Sequence, residues 1–167
     1  MERRNIFKKN KKMKTFKQYL KEALDKPFEY DHLGSLENSS GEMEHHYGFK
    51  DHKGIPTHVY ISHHAGKVGK GKASVDFTDE QGNIEATGRG SIRHISTVKK
   101  IMQDHAEKHP DLKTYTFTGE KDTDKPGEGG RNRLYTRLAK QAGGYSDDIN
   151  AYSNRHYIPI NRDKKGD

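Results

Sequence analysis

The chain has 167 residues, enough for one domain with a true core but too few for two that are each well buried. Its apolar share of 29% is low and its charged share of 33% high, so the apolar residues must be concentrated in a few elements. Cysteine is absent, which excludes a disulfide framework, thiolate catalysis and cysteine-ligated zinc together.

The net charge of +7 lies almost wholly in residues 1–14, where Arg3, Arg4, Lys8, Lys9, Lys11, Lys12 and Lys14 stand against Glu2 alone. This asymmetry predicts a basic N-terminal arm over 1–14, a single domain over 15–162 and a polar tail over 163–167. Such an arm is either a solvated segment or a salt-sensitive contact for nucleic acid or an acidic protein surface. No apolar run approaches the roughly 20 residues that span a bilayer, and the basic start lacks a signal peptide's apolar stretch. A soluble, intracellular protein without a membrane partner is expected.

In chain order, Phe16, Tyr19, Leu20, Ala23 and Leu24 recur at helical spacing and Pro27 ends the helix they predict. Residues 31–54 are rich in Gly, Ser, Asn, Glu and His, and yield one short strand over 43–49. Strands follow over 57–62 and 73–78, joined by a flexible Gly66 to Gly71 link, and a turn at 79–83 leads to a further strand over 84–87. These strands predict an antiparallel meander. Ile95, Val98, Ile101 and Met102 then share one face of a helix over about 94–108, which Pro110 stops. Thr114 to Thr118 is a strand by its β-branched and aromatic content, so a right-handed crossover should pair 84–87 in parallel with 114–118. A polar loop over 119–130, a helix over 131–141 that turns Leu134, Leu138 and Tyr135 inward, a Gly143-Gly144 cap and a closing strand over 154–160 complete the chain. Pro159 places that last strand at an edge. The fold class is α/β (α+β), with a mixed, mostly antiparallel sheet, a central parallel pair and flanking helices.

Two groups of residues carry chemistry. Six of the eleven histidines crowd between His45 and His64, with His32, His94, His105, His109 and His156 outside, and imidazole suits zinc, copper, nickel and iron. Neither a His-x-x-x-His nor a His-Glu-x-x-His spacing is recognised among the eleven, so incidental surface histidines are expected and no metal site. Gly88-Arg89-Gly90-Ser91, between a strand and a helix, offers backbone amides at a helix N-terminus to a phosphate, or is simply a tight turn. It is neither a Walker loop nor the dinucleotide fingerprint. Tyr135 is either core or a general acid, and Arg131, Arg133 and Arg137 read as a solvated face.

With these motifs in place, the succession of elements from Phe16 to Arg162 resembles the GCN5-related N-acetyltransferase superfamily. Leu134-Tyr135 followed by Gly144-Tyr145 is similar to that family's aromatic-Tyr then Gly-Phe ending, where the tyrosine protonates the departing coenzyme A thiolate. The resemblance implies acetyl-CoA as cofactor, Glu85 as general base, Tyr135 as acid, and Gly88, Arg89, Gly90, Ser91 and Arg93 around the pyrophosphate. Counted from Arg89, the family's two small loop positions are Ile92 and His94 here. A second resemblance, to uncharacterised tailed-bacteriophage proteins, rests on Met13 to Leu20, the Thr-Gly-x-Gly turn, Ser96-Thr97-Val98 and the Arg131 to Arg137 helix. It implies the host cytoplasm or the virion, with virion proteins as partners, and brings no activity. The alternative function is therefore a non-enzymatic virion or interaction protein that keeps the fold and binds through its basic arm.

Overall fold

A computed structural model describes residues 26–79, 89–120, 130–150 and 153–160. The helix expected over 16–24, the strand over 84–87, most of the 119–130 loop and both terminal tails lie outside the described residues.

Four strands open the described chain: β1 (Tyr30–Glu37), β2 (Met43–Lys50), β3 (Pro56–His63) and β4 (Lys72–Asp79). Helix α1 (Arg89–Lys108), β5 (Thr114–Glu120), α2 (Gly130–Gln141), β6 (Tyr145–Asn150) and β7 (Ser153–Pro159) follow. All seven strands form one sheet in the order β1-β2-β3-β4-β5-β7-β6. Every pairing is antiparallel except β4 with β5. Among the described residues no helix is long and apolar enough to cross a membrane.

The period of two decides what the sheet buries. Tyr47 and Phe49 of β2, Val59 and Ile61 of β3, and Ala73, Val75 and Phe77 of β4 alternate with more exposed neighbours and form the inner face. Ile95, Val98, Ile101, Met102 and Ala106 of α1 complete one cluster with them, as the helical spacing requires. Specific bonds fix how α1 lies on the sheet. The Phe28 amide donates to Thr97 Oγ1 at 2.8 Å, the Tyr30 hydroxyl donates to Asp104, and the Tyr115 hydroxyl donates to the Met102 carbonyl at 2.8 Å.

Helix α2 ends in a Schellman turn. Gly143 has φ +74°, and the Gly144 amide reaches back to the Ala139 carbonyl at 2.7 Å. A Cβ on Gly144 would stand 1.8 Å from the Tyr157 carbonyl oxygen, so the chain leaves α2 for β6 only where there is no side chain.

In the described sheet the strand paired in parallel with β5 is β4, Lys72–Asp79, and the expected partner 84–87 lies outside the described residues. Two expectations need correction. Strand β1 was not expected at all, because seven of its eight residues are exposed and carry no apolar alternation. The closing strand β7 is internal, between β5 and β6, and the edge is β6. Pro159 is tolerated there because β6 pairs with β7 only as far as Tyr157, and the Ile160 amide is the one that turns to the Lys113 carbonyl.

Candidate functional site

Of the residues expected to act, Tyr135 lies beside the parallel pair. Strands β4 and β5 share three registered pairs, Lys72 with Thr114, Ala73 with Tyr115 and Ser74 with Thr116. Beyond them, Val75 to Asp79 and Phe117 to Glu120 have no partner in each other, although both stretches are extended. A cleft of about 300 Å³ adjoins this parting, lined by Phe77, Phe117, Tyr135, Met102, Leu138 and Ile158 among others. Tyr135 is buried, its ring stacked on Phe117 at 5.0 Å and edge-on to Phe77 at 6.0 Å.

The other residues of this expected site divide. Glu85 and Gly88 lie outside the described residues. Arg89, Gly90 and Ser91 form the first turn of α1. Arg93 is engaged elsewhere, with Nε donating to the Lys26 carbonyl at 2.7 Å and the guanidinium 4.0 Å above the Phe28 ring. His94 packs edge-on to Phe28 at 5.6 Å and lies 5.5 Å from Phe49.

No family model, curated protein or solved structure matches this chain. Its chemistry must be read from its own geometry.

The histidines are not uniformly superficial. Strand alternation sends His46 and His58 to the outer face, where Nε2 of the first meets Nδ1 of the second at 2.8 Å. His45 and His63 go to the inner face. They are diagonal neighbours, since His45 pairs with Ile61. Helix α1 brings His105 against them, and His109 follows one turn later, its amide still bonded to the His105 carbonyl at 3.1 Å. One donor atom from each of His45, His63, His105 and His109 lies within 4.8 Å of the other three. His45 and His105 are buried, at 8% and 1% exposure, which corrects the expectation of surface histidines for both.

Two of these rings are held from behind. Ser35 lies directly opposite His45 in the β1–β2 register, and its Oγ is 2.8 Å from His45 Nδ1. A bulge between His32 and Gly34 makes this possible by shifting the alternation of β1 so that Ser35 shares the inner face. The Tyr47 hydroxyl lies 2.7 Å from His105 Nδ1, and His105 Nε2 lies 2.7 Å from His63 Nε2. His45 Nε2 is buried and has no hydrogen-bond partner. An orphaned buried polar atom of this kind costs about 1–3 kcal/mol.

The electrostatics agree with a crowd of neutral imidazoles. Burial first, then the nearby His63, His109 and His32, hold His45 down to about 4. Burial and the surrounding histidines depress His105 further, and burial also leads the lowering at His63 and His109. Each ring is thus favoured in its neutral form, in which one nitrogen carries a proton and the other offers a lone pair.

The missed signal was in the sequence. His105 and His109 have the four-residue spacing that puts two ligands on one helix face, but they lie forty residues beyond the crowded stretch, against the Pro110 stop. The other two ligands could not be chosen from sequence, since nothing there favours His45 and His63 over His46 and His58.

Proposed function

We propose that the chain is an acetyltransferase-like domain that takes acetyl-CoA between β4 and β5 and transfers the acetyl group to an amine. The observation that carries the reading is the parting of the sole parallel pair in the described sheet after three registered pairs. An extended pantetheine arm would enter where the two strands part, as an added strand does. The apolar cleft beside it suits the thioester end.

Tyr135 lines that cleft from α2 and would protonate the thiolate as it leaves. Glu85 would accept the amine's proton through a water, and Gly88, Arg89, Gly90 and Ser91 would meet the pyrophosphate at the start of α1. Arg93 is left out of this role, because its guanidinium is taken by Lys26 and Phe28.

One observation favours the second reading, a non-enzymatic phage or virion protein that keeps the fold and uses its basic arm for nucleic acid or a protein partner. Ile92 and His94 occupy the positions where a coenzyme loop needs small residues. Calorimetric titration with acetyl-CoA separates the two. Micromolar binding, with Tyr135→Phe losing turnover and not affinity, is the result expected of the enzyme. Absence of heat at millimolar coenzyme would leave the interaction protein.

A further inference from the structure

The geometry points to a metal centre: we propose that His45, His63, His105 and His109 together bind one zinc-class divalent ion as a closed, four-coordinate site that ties β2 and β3 to the end of α1. The site is separate from the acyl-transfer reading and does not depend on it.

Three independent observations converge. The first is the donor set. Four imidazole nitrogens lie within 4.8 Å of one another, two on adjacent strands and two a helical turn apart. Tetrahedral zinc with Zn–N of about 2.0–2.1 Å needs its donors about 3.4 Å apart, a change that small side-chain rotations supply. The second is the support behind the donors. Ser35 and Tyr47 each hold the Nδ1 of a buried ring, so the remaining donor of His45 and of His105 is Nε2. A hydroxyl that accepts from Nδ1–H fixes the tautomer with its lone pair on Nε2, which is how ligating histidines are oriented. The third is the unpartnered His45 Nε2.

A metal-free hydrogen-bond chain from Tyr47 through His105 to His63 satisfies those three groups, but it leaves His45 Nε2 buried among the rings of His63, His105 and His109, at centroid distances of 4.7–5.0 Å. A cation among the four would take one donor nitrogen from each ring, the unpartnered His45 Nε2 included. Imidazoles without thiolate or carboxylate select borderline ions such as Zn2+, Co2+, Ni2+ and Cu2+ over Mg2+ and Ca2+. Four protein ligands leave no open position, so the role is to hold structure and not to activate water.

The outer-face pair, His46 and His58, provides the internal control, because it offers two imidazoles in contact without the other two ligands. The experiment uses the untagged full-length chain, stripped with chelator and titrated with Zn2+ against a chromophoric competitor, then with Co2+ under visible absorption. One equivalent of Zn2+, bound at micromolar concentration or tighter, and the intense Co2+ bands of tetrahedral coordination are expected.

His63→Ala and His109→Ala, which remove the two half-buried ligands, should each weaken Zn2+ binding at least about 100-fold while far-ultraviolet circular dichroism stays unchanged. Tyr47→Phe, which keeps the ring and loses the support for His105, should weaken it about 10–100-fold. His46→Ala should bind as the parent does. The site is overturned if the folded parent takes up no Zn2+, if Co2+ gives only the faint spectrum of an octahedral ion, or if His46→Ala loses the metal while His63→Ala and His109→Ala keep it. The parent's Co2+ spectrum decides the matter even where a variant fails to fold.

Discussion

Two places in this molecule bury a histidine on the inner face of the sheet, and they differ in one respect. At the β6–β7 end, His156 is fully buried, with Nε2 donating to Asn132 Oδ1 at 2.7 Å and Nδ1 accepting from the Ser146 hydroxyl at 2.8 Å. At the β1–β3 end, His45 is also buried, but only Nδ1 has a partner. The first imidazole is complete and serves packing. The second is held on one side and unanswered on the other, among three more rings. Burial alone therefore says little about a histidine, and the accounting of both its nitrogens says much.

The comparison can be broken most sharply at His156. Replacing it with Ala leaves Asn132 and Ser146 facing a cavity and should destabilise the chain by about 3 kcal/mol. Urea unfolding should give the same loss with chelator and with Zn2+ present, whereas the parent's own midpoint should rise with Zn2+. A His156→Ala loss that depended on Zn2+ would place this residue in the metal centre and dissolve the contrast.

Acid should act on both ends in the same direction in the metal-free chain. His45 is held from 6.5 down to about 4, and burial lowers His156 as well. Below pH 6.5 the unfolded chain takes up protons that the native chain refuses, so stability falls as pH drops towards 4 and is level above about 7. Urea midpoints at pH 7.5 and pH 5 measure this, and equal midpoints would mean that these rings are protonated in the native state.

A smaller effect is expected from Tyr47→Phe in the absence of metal. It removes one buried hydrogen bond to His105 and should cost about 1 kcal/mol, far less than its effect on Zn2+ affinity. His58→Ala is the smallest. It lies on the outer face and should change stability by less than about 0.5 kcal/mol, with Zn2+ affinity that of the parent. A larger loss would show that the outer face is covered and matters to the fold.

Much of the scaffold is legible from residue order. The alternations at Thr57 to Ser62 and Ala73 to Thr78, the apolar face of α1 and the Gly143-Gly144 stop all appear where local pattern puts them. Strand β1 was invisible because an edge strand exposed over most of its length needs no apolar alternation. Strand β6 was missed for the same reason, with all six of its residues exposed. Internal β7 was misplaced because a proline at a strand's last residue gives no clue to which neighbour has already ended.

Sequence alone determined the types of β2, β3, β4, α1, β5, α2 and β7 and the supply of imidazoles, because helix and strand periods and residue chemistry are local. The tertiary structure decided which strand runs parallel to β5, where that pair parts, and which four of eleven histidines meet. Those outcomes depend on sheet register, on the bulge in β1 and on the angle at which Phe28, Tyr30 and Tyr115 hold α1. Each of these joins residues far apart in the chain, and local pattern carries no record of such contacts.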